Sequence, residues 1–159
     1  MNSNMNPLID AMPSLFAHEG VWEGCYRVVD LDGRTLDQHQ SRVEVSFPDS
    51  GPHYLQRNHF HWDDGRTLVV EHPGYYADGI LRWNTEHIEG AAWQAGERCV
   101  VLRWRRHDSP GSELTELIAL GEKATHRART WHWFRDGVCY QRTLIDEQRV
   151  PSTRNGESA

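Results

Sequence analysis

Short turn signals recur along this chain, and their regular spacing constrains the fold more than any other feature of the sequence. Asp-Gly pairs begin at Asp32, Asp64, Asp78 and Asp136, and Asp-Gly between apolar segments is a strong signal for a two-residue hairpin turn. The segments between turns are rich in Val, Thr and aromatic residues, which are the residue types favoured in strands. The pattern predicts antiparallel strands joined by short hairpins.

We predict nine or ten strands from the alternation of apolar and polar residues between these turns. The predicted strands cover residues 21–30, 35–47, 53–62, 66–72, 80–89, 91–94, 98–107, 113–120, 125–135 and 138–149. So many antiparallel strands in series must close on themselves or split into two sheets to protect their edges. The expected fold is all-β, an up-and-down antiparallel β-barrel of nine or ten strands.

The two ends of the chain differ from this pattern. Helical spacing occurs only over residues 7–18, where Leu8, Met12, Leu15 and Phe16 share one face after a proline suited to a first turn. We expect residues 1–19 to form an N-terminal arm with a short helix that plugs one barrel end, the alternative being an unstructured arm. Residues 20–150 form the barrel domain. The small, polar segment 151–159 is expected to be disordered.

Charge and apolar content restrict the partners and the compartment. With 17 basic and 23 acidic residues the formal charge is -6, so no overall positive field favours nucleic acid. No apolar run is long enough to span a membrane. No signal-like run precedes the first basic residue, Arg27, and three widely spaced cysteines suggest reduced thiols. We expect a cytoplasmic protein, monomeric or homodimeric, whose partner is a small organic molecule.

The first predicted strand begins with Gly20-Val21-Trp22 after the short helical segment. A Gly-x-Trp at this place resembles the first-strand signature of the calycins, the superfamily of lipocalins, fatty-acid-binding proteins and related small barrels. The last strand contains Arg142, which is similar to the calycin arginine that packs over that tryptophan. The resemblance therefore implies that Gly20, Trp22 and Arg142 close the barrel base.

The C-terminal segments 127–137 and 142–150 also resemble a bacterial, intracellular branch of lipocalin-like barrels. The chain departs from secreted lipocalins because it has no signal-like segment and no Thr-Asp-Tyr motif. Intracellular calycins include haem-binding barrels and bilin lyases. The resemblance implies a barrel with a central cavity, and it names no particular ligand, since one fold hosts many sites.

The aromatic face of each strand is expected to point inward. The residues on that face are Trp22, Tyr26, Asn58, Phe60, Trp62, Val70, His72, Trp83, Leu102, Trp104, Leu114, Glu116, Ile118, Leu120, Trp131 and Trp133. Tryptophan offers a flat ring for stacking and an N–H for orientation, which suits a cavity for an aromatic molecule. The alternative is that the tryptophans only fill the barrel.

Polar residues on the same face are candidates for chemistry. Glu116 beside Arg129 or Arg142 predicts either a structural ion pair or an acid or base with a shifted pKa. His72 precedes Pro73 at a predicted strand end, where it either caps a turn or acts as a base.

Other histidines are placed on the outer face by strand alternation. His59 and His61 alternate with Asn58 and Phe60, so we predict no metal site there. His132 lies between two inward tryptophans and would ligate haem only if the assignment of faces were inverted.

The leading hypothesis is a barrel that binds a small, largely apolar, aromatic organic molecule without a cofactor. Stacking is assigned to Trp83, Trp104, Trp131 and Trp133, and polar orientation to Tyr26, Asn58 and Arg129. A nearly equal alternative is a cofactor-independent lyase, isomerase or cyclase that uses Glu116, His72 and Tyr26 as catalytic groups. Further alternatives are a haem or tetrapyrrole barrel with His132 or His72 as ligand, and a purely structural or protein-binding role.

Overall fold

The computed structural model describes residues 5–152 and contains two short helices followed by ten strands. The helices are α1 (Leu8–Ala11) and α2 (Pro13–Phe16). The strands are β1 (Gly20–Asp30), β2 (Thr35–Ser46), β3 (Tyr54–His61), β4 (Thr67–Ala77), β5 (Ile80–Asn84), β6 (Ile88–Gln94), β7 (Cys99–Arg106), β8 (Ser112–Leu120), β9 (His126–Arg135) and β10 (Val138–Arg149).

The ten strands form a closed antiparallel barrel in which each strand pairs with its sequence neighbours and β10 pairs back onto β1. The predicted all-β, up-and-down barrel is confirmed, with ten strands. The Asp78-Gly79 and Asp136-Gly137 pairs have positive φ at both residues, which is the geometry that a two-residue hairpin turn requires. Closure leaves no open sheet edge among these strands, so the inner face encloses a space.

Two strand boundaries differ from the prediction. The predicted strand 66–72 ended before Pro73, whereas β4 continues through that proline to Ala77. Proline is tolerated here because the ladder changes partner: β4 pairs with β3 as far as Gly74 and with β5 from Tyr75. His72 is therefore inside a strand and caps no turn.

The predicted strands 80–89 and 91–94 also divide at a different place. The turn lies at residues 85–87, where the Thr85 hydroxyl accepts hydrogen bonds from the backbone N–H groups of His87 and Ile88 at 3.2 and 3.1 Å. A threonine turn of this kind is a weaker signal than glycine. Gly90, which separates the two predicted strands, lies within β6.

Residues 5–19 of the N-terminal arm contain two helical turns in place of the one predicted helix. Helix geometry breaks at Met12, whose φ and ψ are -136° and 64°, because a following proline disfavours the helical conformation. Leu8, Met12 and Leu15 are buried in the same core as Trp22 and its strand neighbours. The Ser14 hydroxyl donates to a backbone carbonyl of the loop after β6 at 2.8 Å. The arm thus closes one end of the barrel.

The polar C-terminal segment 151–159 was predicted to be disordered. Pro151 and Ser152 are exposed and lie outside any helix or strand, and residues 153–159 lie outside the described part of the chain. No helix within residues 5–152 is long and apolar enough to cross a membrane.

Candidate functional site

The barrel interior contains a cavity of about 470 Å³ at the end opposite the N-terminal arm. We refer to this space as the outer chamber. Its aromatic wall consists of Tyr26, Phe60, Trp62, Trp104, Trp131 and Trp133. All six were placed on the inner face by strand alternation, and the volume lies in the range of small-molecule sites in proteins.

A smaller space of about 50 Å³ lies deeper in the barrel, and we call it the inner compartment. Asn58, His72, Ile88, Trp104 and Trp131 line both spaces. The remaining wall of the inner compartment is formed by Tyr54, Gln56, Trp83, Leu102, Glu116 and Arg129. The cavity therefore changes from an aromatic mouth to a polar floor.

Edge-to-face contacts hold the aromatic wall in place. Trp133 lies 5.6 Å from Trp104 and 5.8 Å from Trp131 between ring centroids, with interplanar angles of 78° and 66°. These are favourable arrangements for aromatic pairs. Gly90 faces Trp104 across the ladder, and a Cβ atom at this position would lie 2.4 Å from the Cβ of Trp104. The glycine thus leaves room for the tryptophan.

The four indole N–H groups of this wall differ in their hydrogen bonding. Trp133 donates to the Thr143 hydroxyl at 2.9 Å, and Trp62 donates to the Asp37 carboxylate at 3.0 Å. The Nε1 of Trp131 is buried and makes no hydrogen bond within the described residues. A buried donor without a partner is costly and calls for a specific explanation.

A buried ion pair forms the polar floor. Arg129 Nε donates to Glu116 Oε1 at 2.5 Å, and Arg129 Nη1 donates to the Tyr26 hydroxyl at 2.8 Å. Burial alone would lower the pKa of Arg129, but the Glu116 carboxylate outweighs burial and raises this pKa well above its usual value. Burial also raises the pKa of the Tyr26 phenol. Glu116 is therefore paired with Arg129, and Tyr26 is neutral at pH 7.

His72 is the one imidazole shared by the outer chamber and the inner compartment. Its side chain makes no hydrogen bond to residues 5–152. Burial, together with the charge of Arg129, lowers the pKa of His72 to about 4. The ring is therefore neutral at pH 7, where it can both donate and accept a hydrogen bond.

A chain of hydrogen bonds along β3 adds further polar groups. The Tyr54 hydroxyl donates to Gln56 Oε1 at 2.6 Å, and Gln56 Nε2 donates to Asn58 Oδ1 at 2.9 Å. These bonds fix the orientation of the Asn58 amide, so its nitrogen is free to face the cavity.

The prediction that Arg142 packs over Trp22 and closes the barrel base is wrong. Arg127 and Arg149 lie over the Trp22 ring, at 4.5 and 4.3 Å from its centroid. Trp22 is opposite Arg149 in the ladder, whereas Arg142 is opposite Val29, seven residues along the strand. The neighbouring Thr143 bonds to an inner tryptophan, so Arg142 points outward. Gly20 starts β1 beside Arg149.

Several buried polar residues were not predicted, namely His18, Gln56, Arg127 and Glu147, and neither was the half-buried Arg149 at the barrel base. Arg127 Nε donates to a Glu147 carboxylate oxygen. Burial by itself would raise the pKa of Glu147, but Arg127 and Arg129 outweigh it, so the pKa is lowered. Strand alternation could have predicted that Arg127 points inward, because Arg127 shares its face of β9 with Arg129 and Trp131. In β10 the pairing register is irregular between Cys139 and Gln141. Simple alternation therefore assigns the wrong face to residues on one side of this irregularity.

The three histidines that alternation assigned to the outer face, His59, His61 and His132, lie outside the barrel interior. His59 and His61 alternate with inward residues of β3, and His132 is exposed between two inward tryptophans. Within residues 5–152 no group of three or more His, Cys, Asp or Glu side chains is arranged to hold a metal ion. His132 is therefore not placed to ligate a haem in the cavity.

Comparison with solved structures supports this architecture. The barrel superposes on an S-type phycobiliprotein lyase from Guillardia theta with a TM-score of 0.71 and 12% sequence identity, covering 96% of this chain and 99% of that one. It superposes on a DUF3598-family protein of unknown function from Nostoc punctiforme with a TM-score of 0.68 and 16% identity, covering 86% of this chain. This chain spans 49% of that second protein.

At these identities the likenesses show the fold alone. No protein-family model matches the sequence, and no curated protein matches it.

Proposed function

We propose that this protein is a calycin-like barrel that binds a small, largely apolar, aromatic molecule in the outer chamber, with the ligand's polar end in the inner compartment. The observation that carries the proposal is the aromatic wall of the outer chamber, which continues into the polar inner compartment through Trp104 and Trp131. A ligand with an aromatic body and a polar end matches this change from apolar to polar lining.

The shape and chemistry of the cavity support the same ligand class. A largely aromatic wall with a few convergent polar groups is typical of small-molecule sites. Trp104 and Trp131 line both spaces, so a planar ligand that extends from the mouth to the floor would contact both rings. The lyase from Guillardia theta has the same architecture, which fits a barrel built around a ligand cavity.

Calorimetric titration of Trp104→Ala tests the proposal. The probe is an uncharged bicyclic aromatic, 2-naphthamide. We expect saturable binding to the wild type and about tenfold or greater weakening in Trp104→Ala, because an aromatic contact contributes about 0.5–1.5 kcal/mol beyond the area it buries.

The matched control is Trp93→Ala. Trp93 lies on β6 with 41% of its surface exposed and lines neither space, so this variant should bind like the wild type. Equal affinities for all three proteins would contradict the proposed site.

Catalysis without a cofactor is the second candidate, because Glu116 and His72 share the inner compartment. Two observations weaken it. A histidine with a pKa of about 4 is a poor base at pH 7, and Glu116 is held by Arg129. Overnight incubation of bound aromatic compounds, followed by mass spectrometry, separates the two functions. A product that His72→Gln no longer forms would establish an enzyme.

A haem fits the cavity poorly. His132 is exposed on the outer face, and the histidines that line the cavity are His39, His72 and His87. His39 is bonded to Asp37 and His87 lies 3.1 Å from Glu86, so only His72 is without a side-chain partner within residues 5–152. The arginine at the mouth, Arg106, is engaged by Asp108 through two hydrogen bonds, so it is not free for a propionate. These residues favour an uncharged aromatic ligand over an acidic tetrapyrrole.

A further inference from the structure

The charges in the barrel interior balance one another. Arg129 pairs with Glu116, and Arg127 pairs with Glu147, each of these four side chains being no more than 4% exposed. His72 also lines the inner compartment. Its side chain has no hydrogen-bond partner within residues 5–152, and it is neutral at pH 7. The floor of the cavity therefore offers no uncompensated charge to a ligand.

The charged side chains at the mouth of the outer chamber are also paired with groups of opposite charge. Arg106 binds Asp108 at 2.6 Å, and Glu71 binds Arg57. His39, which also lines the chamber, donates from Nδ1 to the Asp37 carboxylate at 2.8 Å. A ligand charge of either sign would meet groups that already have partners of the opposite sign.

A charged ligand end in the inner compartment would be unfavourable for two reasons. It would lose its hydration without gaining a free counter-charge. To gain one it would have to break the Glu116–Arg129 pair, and the displaced partner would then be a buried, uncompensated charge. An uncharged end avoids both costs.

The floor nevertheless keeps unused hydrogen-bonding capacity of both kinds. Arg129 makes its bonds through Nε and Nη1, which leaves Nη2 without a partner in the described chain. Glu116 uses Oε1 toward Arg129, so its second oxygen has no partner there. Both Arg129 and Glu116 line the inner compartment. A donor and an acceptor are therefore available at one small space.

We infer that the ligand class is an uncharged aromatic molecule whose polar end both donates and accepts hydrogen bonds, the chemistry of a carboxamide or a phenol. This inference rests on the proposed function and specifies the ligand of the same site. Glu116 acts as the specificity residue, because its carboxylate neutralises Arg129 and thereby excludes acids.

An isosteric ligand series tests the inference. 2-Naphthamide, 2-naphthoate and the cation 2-naphthylmethylammonium have the same ring system and differ in the charge of the polar end. Calorimetric titration of the wild type at pH 7.5 should show the amide binding at least tenfold tighter than either ion. Wild-type affinity for naphthoate or for the cation that equals or exceeds that for the amide would overturn the inference. If none of the three binds, the proposed function itself fails.

Glu116→Gln supplies the second test. Removing this carboxylate leaves Arg129 uncompensated, so naphthoate should bind at least tenfold tighter than it does to the wild type, while the amide changes less. The matched control is Glu113→Gln, since Glu113 pairs with Arg103 at 2.6 Å on the outer face. No gain for naphthoate in a folded Glu116→Gln protein would overturn the role of Glu116. If that variant does not fold, the wild-type series decides.

Discussion

At the scale of single residues, the positions of buried side chains in this barrel depend on the room that small residues leave as well as on hydrogen bonds and charge. Gly24 lies in β1 directly opposite Glu147. A Cβ atom at Gly24 would lie 2.0 Å from the Asp146 carbonyl oxygen and 2.8 Å from Glu147 Cγ. The absence of a side chain at this position is thus what lets the buried Glu147 carboxylate reach Arg127 in the floor of the barrel.

Gly24→Ala should lower the free energy of unfolding by about 1–3 kcal/mol or more, the range seen when atoms are forced into a packed interior. Urea denaturation followed by circular dichroism measures this loss. The matched control is Gly96→Ala, since a Cβ atom at Gly96 would meet nothing within 4 Å. A Gly24→Ala protein as stable as the Gly96→Ala protein would contradict the close packing described for β1.

At the scale of elements, the N-terminal arm is part of the barrel core although neither helix exceeds 4 residues. Helices this short are unstable in isolation. The arm is held by burial of Leu8, Met12 and Leu15 against the strands, and by the hydrogen bonds of Ser14 to the loop after β6. Tertiary contacts, and not helix propensity, therefore order this segment.

Leu15→Ala should cost about 2–5 kcal/mol of stability, as is usual for truncation of a fully buried leucine. Leu15 is 3% exposed. Leu36→Ala is the control for the same chemical change, because Leu36 is 57% exposed and surface substitutions usually stay within about 0.5 kcal/mol. Thermal and urea unfolding of both variants compare the two. Similar losses would show that the arm does not contribute to the core.

At the scale of the whole molecule, closure of the sheet buries two histidines among arginines. His18 Nδ1 lies 3.4 Å from Arg127 Nη1, so this nitrogen accepts and the ring is neutral. Burial, followed by the charges of Arg127, Arg129 and Arg149, lowers the pKa of His18 to about 3. Burial and Arg129 lower the pKa of His72 to about 4. Folding therefore excludes two protons that the unfolded chain binds.

The free energy of unfolding should fall as the pH is lowered from 6.5 to 4.5. In this window the unfolded histidines, with ordinary pKa values near 6.5, bind protons that the folded protein rejects, so acid favours unfolding. Each histidine contributes up to about 1.4 kcal/mol for each pH unit. Urea denaturation at pH 7.5, 6.5, 5.5 and 4.5 measures the slope.

His18→Gln should reduce that slope, because glutamine does not titrate. The control is His87→Gln, since the His87 side chain is 69% exposed. A profile for His18→Gln that parallels the wild type would show that His18 takes up its proton as readily in the folded state.

Features that depend on neighbouring residues could be predicted from the amino-acid sequence alone. Asp-Gly turns and alternation predict a barrel of about ten strands, and they place Trp104, Trp131 and Glu116 on the inner face, because side chains in a strand alternate strictly. Boundaries were predicted less well where the signal was weak or misleading, as at Thr85 and Pro73. Whether the residues assigned to the ligand perform that role stays a prediction.

Contacts between residues far apart in the chain depend on how the sheet closes. Tyr26 and Arg129 are 103 positions apart, and their bond exists because β1 closes against β10. The same closure places Arg149, and not Arg142, over Trp22. Alternation within one strand does not determine how that strand is aligned with its neighbour. If the alignment shifts, every residue gains a different cross-strand partner, while the pattern along each strand stays the same. The charge balance of the barrel floor depends on this register, and therefore on the closed sheet as a whole.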